Sequence, residues 1–246
     1  MIKSIFLFFI LLNAQNLFAQ ESISKQEKEF ADSLNIKLAN TTNPIERFSI
    51  IVKFSENNLV LNGGLADSAT PIRLIQLARQ LKNDSLLAIS YNWAGSYLAF
   101  NKGDNTAALE YYFKALPLAE KFGDKRRISS LYFDIALIYF MLQNNEEAGK
   151  NIRKGGENLP DPASPMYNFM LVQYQRNMAK YYLLVHQNDS ALHYSQALTE
   201  TSAGLKSPLF QYGALYLNGF AYAQMDDIEM AEVYFKKAEA MTGQIF

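Results

Sequence analysis

The chain has 246 residues, is 49% hydrophobic, contains no cysteine and carries a formal charge of -1. Both charge signs on so long and apolar a chain exclude disorder as the default and supply enough material for a continuous core. A near-neutral balance argues against nucleic acid, which demands a clustered basic face. Without thiols, an exported form has to be stabilised by packing, since disulfides are unavailable to it.

The first residues carry Lys3, an unbroken apolar run from Ile5 to Leu12, a polar stretch from Asn13 to Asn16, and Ala19. A positive start, a short apolar run and a small closing residue predict a secretory signal peptide over 1–19, cleaved after Ala19. The run is far below the roughly 20 residues of a spanning helix. No membrane insertion is therefore expected once the leader is removed, and the absence of Cys rules out lipoprotein attachment.

Residues 20–84 read as an N-terminal capping helix, Ser24 to Ala39, and a degenerate first hairpin. Its helices are Pro44 to Asn58, with Ile45, Phe48, Ile51, Val52 and Leu59 on one side, and Pro71 to Leu81, with Ile72, Ile75 and Leu77. An Asn62-Gly63-Gly64 turn joins them. No strand precedes the glycines and no Lys-Ser or Lys-Thr follows, so they are a loop joint and not a phosphate cradle. The pairs Asn83-Asp84 and Gly123-Asp124 lie one period apart.

From Ser85 onward a cadence centred on a small residue repeats at Ala108, Ala148, Ala191 and Ala231, with separations of 40, 43 and 40 residues. It predicts helix hairpins at about 85–122, 125–158, 165–203 and 207–242, one solenoid with 20–84. Around Ala148, Tyr132, Ile135, Ala136 and Tyr139 share one stripe of the preceding helix. Ile152 and Gly155 follow on the next, and a polar turn from Gln143 to Glu147 separates the two. Equivalent positions around Ala231 are Leu215, Gly219, Tyr222, Phe235 and Ala238, with Asn218 the odd member. Around Ala191, Met178, Ala179 and Tyr182 fit, but Ser195 and Leu198 reverse the usual order of large and small. Around Ala108, Tyr112 and Ala115 fit, whereas Tyr91, Ala94, Gly95 and Leu98 require one extra residue, which the turn Asn101 to Asn105 is expected to hold. Short alternating strand patterns do not recur, so the fold class is all-α.

This pattern of large, small, aromatic, then alanine, aromatic, alanine resembles the tetratricopeptide repeat (TPR) family, in a long-period form of about 40 residues per repeat. The resemblance covers roughly residues 85 to 242. It implies a superhelical solenoid of antiparallel helix hairpins, similar to exported proteins and sensor regions of Gram-negative, Bacteroidota-like bacteria. A periplasmic or secreted location is expected.

Parts for catalysis are scarce. The two imidazoles, His186 in a turn and His193 on the next helix, have only Asp189 between them, short of a metal-ligand set. Glu146-Glu147 and Asp226-Asp227 fall where helix starts favour acidic residues, and Lys125 to Arg127 begin a helix. No catalytic residue, metal or cofactor is assigned.

By the resemblance, a partner segment lies along the first helix of each hairpin, beside Asn92, Ser96, Phe133, Leu137, Phe140, Arg176, Lys180, Tyr216 and Phe220. Apolar neighbours around two cations suit a protein or peptide segment with apolar anchors and a carboxylate. Phe133→Ala with Phe220→Ala is expected to abolish capture while leaving the fold intact. The family's clamp for a terminal carboxylate finds Phe133 and Leu137 where it needs polar groups, so that ligand is not expected. The reading is a non-catalytic protein-binding scaffold outside the cytoplasm. Its alternative is the extracytoplasmic sensory region of a membrane-linked regulator, a histidine kinase or transcription factor, whose output module lies beyond Phe246. No polar capping helix follows the final hairpin, and terminal repeats need a solvated outer face. Continuation past Phe246, or a partner on that face, a second copy included, is therefore expected.

Overall fold

The structure, a computed structural model, describes residues 33, 36–62, 69–205 and 207–242. The predicted signal peptide, most of the predicted N-terminal helix and Gly63-Gly64 lie outside the described residues. The elements are α1 (Pro44–Asn62), α2 (Ala69–Gln80), α3 (Asp84–Tyr97) with a π-helical turn at Leu98–Lys102, α4 (Asn105–Lys121), α5 (Lys125–Met141), α6 (Asn145–Glu157), α7 (Tyr167–Leu184), α8 (Asn188–Gly204), α9 (Pro208–Gln224) and α10 (Ile228–Glu239). No strand occurs among the described residues. None of the described helices is long and apolar enough to cross a membrane. The chain divides into two compact units, Met1–Leu118 and Ala119–Phe246. Their boundary falls inside α4, just after Pro117, whose missing N–H interrupts the helical ladder.

In the first unit, Phe48, Leu74 and Ala78 are buried together, with Ile51, Val52, Leu77, Leu86, Leu87 and Trp93 against them. α1 continues to Asn62, past the expected end at Asn58, and takes in the first residue of the expected turn. In the α3–α4 hairpin, a Cβ added at Gly95 would lie 2.6 Å from Tyr112. The small residue is what admits the ring. The extra residue sits in the π turn and not in the Asn101 to Asn105 turn: the Asp104 N–H reaches back to the Leu98 carbonyl, at 3.0 Å. One residue is absorbed without breaking the helix.

Five of the turns share one construction. A residue in the left-handed region, Lys82, Gly123, Gln143, His186 or Asp226, precedes a residue whose N–H reaches a carbonyl five positions back. That is the Schellman closure of a helix end. The following side chain then starts the next helix: Asn83 accepts from the Leu86 N–H, Asp124 from Arg127, Asn144 from Glu147 and Asp227 from Met230. The true equivalence is thus Lys82-Asn83 with Gly123-Asp124, one residue from the register expected above.

In the second unit the pairs α5–α6, α7–α8 and α9–α10 follow one another. Ile152, Ala136, Met170, Met178 and Phe133 form one buried cluster, and Val172, Ala179, Leu183, Ala191, Leu198, Ala214, Leu217 and Ala221 another. α6 and α7 meet through matched spacings. Gly149 and Gly156 on α6 face Tyr181 and Tyr174 on α7, where added Cβ atoms would come within 2.5 Å of each ring. Asn218 and Ser195, two of the departures from the repeat pattern, prove to be partners. Ser195 Oγ donates to Asn218 Oδ1 at 3.1 Å, and Asn218 Nδ2 donates to the Ser195 carbonyl, Thr199 Oγ1 and the Ala214 carbonyl. A fully buried amide is thereby satisfied.

The outer face of α10 carries charged side chains. Where α6 receives α7 at Gly149, Arg153 and Gly156, α10 carries Glu232, Lys236 and Glu239, all exposed. Glu232 and Lys236 pair at 2.6 Å. Exposed Ile228 and Val233 lie on the same helix.

Candidate protein-binding face

The predicted groove residues have unequal fates. Asn92 and Ser96 lie in the first unit; Asn92 is already engaged, and Ser96 Oγ lies 3.2 Å from the Tyr112 hydroxyl. The other positions belong to the second unit. Phe133 is only 7% exposed, because Gly155 on α6 leaves a hole for its ring and Tyr174 stacks beside it. It is a core residue, and the expected harmless Phe133→Ala is a cavity-forming change. Phe140 leans on the same core and Leu137 is half-buried. Tyr216 and Phe220 touch each other and both rest on Phe235.

Arg176 and Lys180 stand one turn apart on α7. Arg176 Nη2 donates to Gln173 Oε1, and its guanidinium lies 5.9 Å from the centre of the Phe210 ring. Its Nε is buried without a hydrogen-bond partner among the described residues, as is Gln175 Oε1 on the same helix. Burial holds the Arg176 guanidinium below its ordinary value. Lys180 is pushed down to about 7, first by desolvation and second by the charge of Arg176, the sole charged group among its causes. Neither cation makes an ion pair with a carboxylate among the described residues.

The stripe holding these cations extends further toward the start of α7 than the predicted set. Met166, Phe169, Gln173, Arg176, Lys180 and Leu184 follow at spacings of three and four, one face of a helix. Met166 and Phe169 are each 37% exposed, and Leu209, at the start of α9, is 50% exposed. Phe169 meets Phe210 edge-on, with ring centres 5.7 Å apart. On α9, Tyr212 and Tyr216 continue the aromatic surface at 4.8 Å, with open space beside Gly213. Counting back seven residues from Arg176 would have exposed this extension in the sequence.

Chemistry of other kinds has little to work with. His186 occupies a left-handed turn position and is exposed, and His193 packs edge-on against Tyr194. Among the described residues no group of three His, Cys, Asp or Glu could hold a metal ion. Arg127 Nε donates to Asp124 at 3.2 Å, which fixes the basic run at a helix start.

Solved structures of the same shape confirm the repeat geometry. BtubC (BKLC) from P. vanneervenii superposes with a TM-score of 0.67 over 95% of this chain and 92% of its own, at 16% identity. The fold is that of tetratricopeptide-like repeats. The TPR-like repeats of a Podosopora anserina kinesin light chain match with a TM-score of 0.56, at 14% identity, over 83% of this chain and 99% of that one. No family model matches the sequence, and no curated protein is similar to it in sequence. A TPR-like hairpin stack fits a protein-binding role: its first helices present side chains that the packing does not use.

Proposed function

We propose that the chain is a non-catalytic scaffold, exported from the cytoplasm, that holds a segment of another protein along the α7–α9 face. The observation that carries this reading is the stripe from Met166 and Phe169 to Arg176 and Lys180, where exposed apolar side chains flank cations that no carboxylate among the described residues offsets. Exposed aromatic and aliphatic anchors beside arginine are the composition of an interaction hot spot. Export rests on the three-part pattern of residues 1–19. A sensory role in a membrane-linked regulator would use the same face.

Capture from envelope extract by the protein lacking 1–19 tests the reading. Phe169→Ala combined with Leu209→Ala removes exposed surface, so melting should stay within a few degrees while partners are lost. Retention of the same partners by the double variant would refute the face.

A further inference from the structure

We infer that Arg176 and Lys180 receive an acidic side chain from the interior of a continuous peptide segment, whose apolar residue seats beside Phe169 and Leu209. This rests on the binding face proposed above and adds the chemistry of its ligand. Arg176 is oriented from two sides, by Gln173 and by the Phe210 ring, yet its buried Nε has no partner among the described residues. Lys180 stands four residues on, and like charges at that spacing repel. Both residues are half-buried, with no ion-paired carboxylate among the described residues, and a ligand carboxylate would offset their repulsion. The pair sits in the middle of the stripe, with Met166 and Phe169 toward one end and Leu184 toward the other. A segment meeting both apolar ends passes over the cations, so its charge is a side chain and not a chain terminus. Phe169 to Arg176 spans about 10 Å at ~1.5 Å per helical residue. An extended ligand at ~3.3 Å per residue therefore places its acid about three positions from its apolar anchor.

An array of short peptides with an apolar residue and an acid at varied separation, each made with a capped and with a free C-terminus and exposed to the chain lacking 1–19, tests this. Peptides with the acid about three positions from the apolar residue should bind at least about tenfold more tightly than their Gln or Asn counterparts. Lys180→Met, which removes one of the two like charges and so keeps the fold, should reduce that preference while leaving the amide peptides unaffected, and an unchanged preference would remove Lys180 from the site. Equal binding of acid and amide peptides, with loss in Phe169→Ala, would overturn the acid assignment and leave the face standing. Binding only by peptides with a free terminal carboxylate would also overturn it. No binding by any peptide would overturn both.

Discussion

At Lys180 the surrounding helices and Arg176 bring the amine from 10.5 to about 7. Between those values the unfolded chain holds a proton that the folded chain lacks, so stability rises with pH through that window and the cost of the charge is complete below about 7. Denaturation midpoints should climb from pH 7 to pH 9, and Lys180→Met should be more stable at pH 7 with a flatter profile. An unchanged profile in the variant would contradict the assignment. Asn218 poses the opposite case, a buried polar group whose bonds are all made. Asn218→Ala should cost about 1–3 kcal/mol by removing its bonds to Ser195 and Thr199 and leaving a cavity in their place. Ser195→Ala combined with Asn218→Leu should cost less than the sum of the single changes in a denaturation cycle, because the two residues share one network. Arg176 and Lys180 stood together in sequence, but the Ser195–Asn218 pairing did not. Ser195 and Asn218 each look like isolated departures until the fold brings their helices together.

Elements were more legible than contacts. The alanine cadence placed the hairpin helices because a small residue at each close approach is a local requirement, readable from spacing alone. The π turn escaped, since an inserted residue leaves the same spacing whether it sits in a turn or in the last helical turn before it. The fate of Phe133 escaped for a different reason: its burial depends on Gly155, which stands where other hairpins carry Ala115, Leu198 and Ala238. Glycine therefore has two meanings here, separable by experiment. Gly149→Ala would drive a methyl into Tyr181 and should destabilise by about 1–3 kcal/mol. Gly213→Ala, in open space inside α9, should stabilise by about 1 kcal/mol through helix propensity alone. At the α7–α8 turn, Gln187 holds the N-cap position without a side-chain bond. Gln187→Asp should add about 1 kcal/mol, read as a rise in melting temperature.

At the scale of the whole molecule, one face of the second unit meets the proposed partner. The fold carries that assignment only part of the way, because function belongs to sites placed on folds. The α7–α9 stripe supplies the rest through exposure and uncompensated charge. Hydroxyl-radical footprinting of the chain, alone and with its captured partner, examines this most directly. Met166, Phe169, Leu209 and Tyr216 should lose reactivity in the complex, while Met225, Ile228 and Val233 at the α10 end should keep theirs. Protection confined to the α10 end, with the α7–α9 stripe as reactive as before, would contradict the account.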